Sequence, residues 1–140
     1  MCKTKRNSGQ GLVEFALILP VLLLLTLGAL DLGRAFFVKV VLENSAREGA
    51  YYMVYNNSDE TRASGFALVK AAVQIEAENS GLTIPPENIE VICMQGATIN
   101  NACPTDSTVI VTVRSELDLV LNFISNGPLE LVNDARMLIQ

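Results

Sequence analysis

The sequence has no histidine and no tryptophan, and only three of its 140 residues are cysteines. Without histidine, acid–base catalysis would depend on carboxylates or lysine, and a serine or threonine nucleophile would lack its usual imidazole partner. No Gly-x-Ser-x-Gly, phosphate-loop or dinucleotide motif occurs. Cys93 and Cys103 cannot complete a four-ligand zinc site in the absence of histidine. These absences predict a chain that is not an enzyme and that holds no metal or cofactor.

Basic residues are also scarce. Ten Lys and Arg stand against fifteen Asp and Glu, a formal net charge of −5, and three of the ten lie in the first six positions as Lys3, Lys5 and Arg6. The rest of the chain is therefore distinctly acidic and has no basic stripe. Because phosphate contacts require clustered Lys and Arg, the sequence excludes a nucleic-acid-binding protein.

One long apolar run is present near the N-terminus. Residues 15–30 carry no charge, and the apolar stretch reaches back to Leu12 with Glu14 as its one charged residue. A helix over residues 12–30 would be about 28 Å long, close to the ~30 Å hydrocarbon core of a membrane. The basic N-terminal residues favour a cytoplasmic N-terminus, so the remainder of the chain is expected outside the cytoplasm.

Basic residues followed by an apolar run are typical both of an uncleaved anchor and of a secretory signal. A secretory signal needs a small-x-small cleavage site, and the candidate near the end of the run is Gly33-Arg34-Ala35. It lies beyond Asp31 and contains an arginine, which argues against cleavage near Phe36. An uncleaved anchor carrying a binding head remains an alternative.

The segment from Gly9 to Phe15, with glycine followed after four residues by Glu14 and Phe15, resembles a prepilin-peptidase site. Together with the following GQGLVEFALILPVLLLLTLGALDLGRAFF and ENSAREGAYY, it is similar to the TadE-like family of the Flp/Tad pilus and tight-adherence systems, over about residues 8–52. The resemblance implies cleavage after Gly9, a mature chain that starts at Gln10, and a role for Glu14 and Phe15 in subunit assembly.

The position of Glu14 agrees with that role on physical grounds. A carboxylate within an apolar helix costs a few kcal/mol in lipid and needs a partner. Cleavage after Gly9 would create an amine at Gln10, four residues away, which could compensate the charge from the same or a neighbouring helix. The alternative is a glutamate at headgroup level, tolerated because it lies near the helix start.

Helical periodicity continues beyond the apolar run to about Asn56. Ala46, Gly49 and Ala50 are small enough to let another element approach this helix closely. A second helix is predicted from Glu60 to Asn79 with one apolar stripe, made of Phe66, Val69, Val73 and Ala77. Residues 56–59 between the two helices predict a turn; glycosylation and calcium binding are weaker interpretations of that cluster.

Residues 89–93 and 108–114 alternate with period two and predict paired strands, and a last strand is predicted from Leu129 to Ile139. Residues 115–126 have apolar side chains at helical spacing and predict a short helix that ends at Gly127. Cys93 and Cys103 flank the loop between the first two strands and, in an exported domain, predict a disulfide.

These elements predict an α+β fold with a long N-terminal transmembrane, pilin-type helix, a second helix and a small antiparallel three-stranded sheet. The expected division is a basic leader over residues 1–9, a long helix over 10–56 that crosses the membrane at about 12–30, and an exported α+β head over 57–140.

The expected protein is a pilin-like structural subunit of a type IV or Tad pilus or pseudopilus. Its expected location is the bacterial cytoplasmic membrane, with one pass and the C-terminal head outside, and then a pilus or an envelope pseudopilus. The resemblance implies as partners other pilin subunits, a prepilin peptidase and an inner-membrane assembly platform, besides membrane lipid.

Overall fold

The computed structural model describes residues 8–56, 66–96, 98–100, 103–121 and 127–140. The basic leader residues Lys3, Lys5 and Arg6, most of the predicted turn at 56–59 and the predicted start of the second helix at Glu60 lie outside the described residues. Within the described ones the fold is α+β, as predicted: a long N-terminal apolar helix, a second helix and an antiparallel sheet.

Helix α1 runs from Ser8 to Tyr55, 48 residues with Pro20 inside it. Its N-terminal part is apolar on all sides and exposed. Its C-terminal part is amphipathic, and the predicted apolar face is buried there, with Leu42, Ala46, Ala50 and Met53 all inaccessible to solvent. The change from an all-apolar to a one-sided pattern therefore marks where α1 leaves the apolar span and joins the head.

Helix α2 runs from Ala67 to Asn79 and buries Val69, Val73 and Ala77 of the predicted stripe. Phe66, predicted inside this helix, is buried but directly precedes it with φ +66°, outside the helical range. The helix ends in a Schellman motif, in which the Gly81 N–H bonds to the Glu78 carbonyl and the Leu82 N–H to the Ala77 carbonyl. Gly81 has φ +80°, as expected of a glycine that ends a helix.

The sheet contains β1 (Ile89–Gln95), β2 (Thr98–Asn100), β3 (Thr108–Leu117) and β4 (Leu129–Leu138), in the order β2-β1-β3-β4 with all pairs antiparallel. A one-turn 3-10 helix, Pro86–Asn88, precedes β1. The three long strands are the predicted ones, and β2 adds a three-residue edge. Val111 pairs with Val91 on one side and Ala135 on the other, at the centre of the core.

The short helix predicted over residues 115–126 is wrong at its start. Ser115, Glu116 and Leu117 are the last residues of β3 and pair with Leu131, Glu130 and Leu129. The alternate burial of Val109, Val111 and Val113 continues through Ser115 and Leu117, so period two persists where the leucine spacing suggested a helix. Residues 118–121 form an irregular stretch and a turn, and 122–126 lie outside the described residues.

Candidate functional site

The residues predicted for processing and assembly lie together on the exposed N-terminal end of α1. Gln10 and Glu14 are one turn apart, and the Gln10 Nε2 donates a hydrogen bond of 3.5 Å to the Glu14 Oε1. Gly9 and Gln10 are exposed, and Phe15 is 61% exposed beside them. Glu14 therefore has only a long, weak bond to a neutral amide within the described chain.

The following turns of α1 form an uninterrupted apolar surface. The most apolar 18-residue window has a mean hydropathy of 2.4 and none of it is buried, and α1 is the one helix among the described residues that is long and apolar enough to cross a membrane. Thr26, the polar residue of this stretch, places its hydroxyl on the carbonyls of Leu22 and Leu23, at 3.0 and 2.9 Å. That hydroxyl is thus satisfied without an external partner.

A carboxylate that the sequence did not single out lies where this surface ends. Asp31 accepts two backbone hydrogen bonds of 2.9 Å each, from the Val120 N–H to Oδ1 and from the Leu121 N–H to Oδ2. The Arg34 Nη1 lies 3.6 Å from Oδ1. Asp31 is 6% exposed, although both neighbouring turns of α1 are open.

The hydrogen bonds from Leu121 and Val120, in that order, hold the pKa of the Asp31 carboxyl below its usual range, and Arg34 acts in the same direction. Partial burial of the carboxyl raises its pKa and so opposes these three interactions. The sequence gives little indication of the contact between Asp31 and Val120, because the two residues are 89 positions apart. The one feature that could have drawn attention to Asp31 is that it is an acidic residue directly after an apolar run of membrane-spanning length.

The three small residues predicted for helix packing lie where α1, α2 and the sheet meet. Ala46 and Ala50 are fully buried. A Cβ at Gly49 would overlap the Val73 Cγ2 of α2 and would stand 3.3 Å from the Val111 Cγ1 of β3. Gly49 therefore lies where α1 and α2 approach each other too closely for a larger side chain.

The predicted disulfide joins Cys93, in β1, to Cys103, ahead of β3. The two Cα atoms are 5.3 Å apart, within the usual range for a disulfide, and both side chains are fully buried. The bridge encloses β2 and fixes the loop that connects the two central strands.

No three His, Cys, Asp or Glu residues lie close enough to hold a metal ion within the described ranges. The chemistry of the mapped residues is that of an exposed apolar helix with one carboxylate near its start, joined to a packed head.

A model of the TadE-like protein family matches residues 9–50. That range begins at the glycine of the predicted processing site and contains Glu14, Asp31 and the three small packing residues. No curated protein and no solved structure matches the chain.

Proposed function

Because the chain belongs to the TadE-like family over residues 9–50, we propose that it is a pilin-like structural subunit of a Tad or type IV pilus, or of a pseudopilus. The family is a non-enzymatic pilus-assembly family. In this proposal α1 crosses the cytoplasmic membrane once with the head outside, a prepilin peptidase cleaves after Gly9, and an inner-membrane assembly platform moves the subunit into a filament with other pilin subunits.

The observation that carries the proposal is the exposed Glu14 at the start of an unpartnered apolar helix. A carboxylate at this depth in lipid needs a compensating charge. Within the described residues its contact is the Gln10 side-chain amide, which is neutral. Cleavage after Gly9 supplies a cationic amine at Gln10, and in a neighbouring subunit that amine compensates Glu14 and sets the register between two α1 helices.

The unburied apolar surface of α1 supports the same proposal. Leu12, Leu17 and Leu25 are each 70% or more exposed, a degree of apolar exposure that requires lipid or other helices around this segment. Among the described residues the head contacts α1 from Gly28 onward and so leaves the preceding turns free for both environments, first lipid and then neighbouring subunits.

The mature N-terminus tests the processing step. Intact mass and N-terminal sequencing of the membrane and filament fractions should show a chain that begins at Gln10. A chain that begins at Met1 or Cys2 would support the uncleaved anchored head instead, and a start near Phe36 would indicate a secreted domain. Filaments whose subunits retain residues 1–9 would contradict the processing proposal.

The assembly role is tested by Glu14→Ala with Glu43→Ala as the matched control. Glu43 is an exposed carboxylate on the same helix and pairs with Arg47 at the head surface. We expect Glu14→Ala to remain in the membrane and disappear from the sheared filament fraction, and Glu43→Ala to assemble normally. Normal filament yield from Glu14→Ala would rule out the role given to this carboxylate.

A further inference from the structure

Residues 118–121, which follow β3, lie beside the end of the apolar segment of α1. The Val120 and Leu121 N–H groups bond to Asp31, one residue beyond the predicted end of the membrane span at Leu30. The Leu121 Cδ1 lies 3.8 Å from where a Cβ of Gly28 would stand, two residues inside that end. This part of the head therefore lies at the depth of the last turn of the span.

The side chains around this depth are apolar on several sides of α1. Leu30, Leu32 and Phe36 are 61%, 72% and 70% exposed. At about 100° per residue, Leu32 and Phe36 lie on the side of α1 opposite Leu30. Among residues 118–121, Val120 is 54% exposed.

The charges of α1 at this level are paired within the chain. Asp31 and Arg34 are the only charged residues between Gly28 and Val38, and they lie 3.6 Å apart. The carboxylate also has two backbone N–H partners, which offset the cost of placing it near hydrocarbon. The Asp31–Arg34 pair is thus neutral in sum and carries its own hydrogen bonds. Asp118, an exposed carboxylate two residues before Val120, adds one negative charge on the side of the β3–β4 connection that leads back to β3.

We propose that Val120 and Leu121, in the described start of the β3–β4 connection, are a second membrane contact of the head: they lie in the outer boundary of the bilayer beside α1, and Asp31 holds them at that depth. The inference rests on the proposed membrane insertion of α1. It adds a lipid-binding surface on the head itself, which fixes how the head sits on the membrane before assembly.

Lipid is favoured over a second copy of the chain for two reasons. The apolar surface at this level is continuous with the proposed membrane span, so one surrounding medium accounts for both. The exposed apolar side chains at this level, Leu30 on one side of α1 and Leu32 and Phe36 on the other, also point in opposite directions. A single partner helix would cover only one of these two sides. A fluid hydrocarbon boundary contacts every side at once.

The absence of tryptophan allows a direct test, since one introduced tryptophan reports its own surroundings. The full chain would be reconstituted in vesicles of phosphatidylethanolamine and phosphatidylglycerol whose acyl chains carry bromine, a quencher, either near the headgroup or near the chain end. The variants are Val120→Trp, Leu22→Trp in the span and Ile75→Trp on α2. Ile75 is 59% exposed, similar to Val120, and its helix packs at Gly49, roughly 30 Å along α1 from Gly28.

We expect Val120→Trp to lose fluorescence to the bromine near the headgroup and to emit at shorter wavelength than Ile75→Trp, which should be unaffected. Leu22→Trp should be quenched by the deeper bromine. Quenching of Leu22→Trp without quenching of Val120→Trp would overturn the lipid contact and leave the membrane span intact. Short-wavelength emission from Val120→Trp without quenching would indicate a protein partner and would also overturn it. An unquenched Leu22→Trp would contradict the span and, with it, this inference.

The role of Asp31 is tested in the Val120→Trp background. Adding Asp31→Ala should reduce the quenching and move the emission to longer wavelength, because the connection is no longer held beside Gly28. Adding Glu43→Ala, the matched exposed carboxylate, should change neither. Unchanged quenching in the Asp31→Ala chain would show that Asp31 does not set the depth.

Discussion

At the scale of single residues, Gly49 is the position where one added carbon has the clearest consequence. Its Cβ would overlap a methyl group of Val73, a fully buried, stiff side chain. Overpacking of this kind costs about 1 to 3 kcal/mol, more than the ~1 kcal/mol that alanine gains over glycine within a helix. We therefore expect Gly49→Ala to lower the free energy of unfolding of the head, measured by urea unfolding in detergent micelles.

Gly33→Ala is the control for this prediction, because Gly33 is on the same helix and nothing lies within 4 Å of the position that an added Cβ would occupy. Alanine there should leave stability unchanged or raise it by up to about 1 kcal/mol. Equal stability of the two variants would show that α1 and α2 can separate at Gly49 at little cost.

Asp31 predicts a pH dependence whose sign follows from its contacts. Its pKa is lowered in the folded chain by the Leu121 and Val120 N–H groups, so its stabilising effect is present above the unfolded value, near 4, and is lost as the pH falls through the lower folded value. Asp31→Asn should be less stable than the parent at pH 7, and the difference should shrink as the pH falls below about 4. A constant difference in thermal midpoint across that range would contradict the assignment.

The role of Gly49 could be predicted from the sequence, whereas the role of Asp31 could not. Gly49 was predicted as a packing position because it lies with Ala46 and Ala50 on one helical face, and local periodicity carries that information. Asp31 could not be assigned, since its partners are backbone N–H groups of a distant connection. Backbone N–H groups are the same at every residue, so the side chains of Val120 and Leu121 do not predict which carboxylate accepts their hydrogen bonds.

At the scale of elements, the end of α2 is stabilised by one residue. Gly81 has φ +80° and closes the Schellman motif, a conformation that costs other residues about 1 kcal/mol. Gly81→Ala should lower the free energy of unfolding by roughly that amount, although nothing crowds the site. Asn, which tolerates this conformation better, is the control substitution, and a larger loss with Asn than with Ala would refute the conformational cause.

Elements with a strong period were predicted well, and those that depend on distant contacts were not. The stripes of α1 and α2 and the alternation in β1, β3 and β4 follow from burial on one face. Leu117 satisfies both a helical spacing with Leu121 and the period of β3, which Ser115 also follows. Pairing with Leu131 and Leu129 decides between them, and that pairing is tertiary.

At the scale of the whole molecule, the disulfide links the fold to the proposed topology. A Cys93–Cys103 bridge persists only outside the reducing cytoplasm, which agrees with an exported head, and its closed loop should stabilise the head by about 2 to 3 kcal/mol. The double variant Cys93→Ser, Cys103→Ser should lose about that much stability in urea unfolding, whereas Cys2→Ser should lose none. Because both cysteines are fully buried, cells should be denatured in the presence of a maleimide reagent, which should label neither Cys93 nor Cys103 before reduction. Labelling of both without a reductant would show free thiols, contradict the bridge and remove its support for an exported head, even if the family match over residues 9–50 stood.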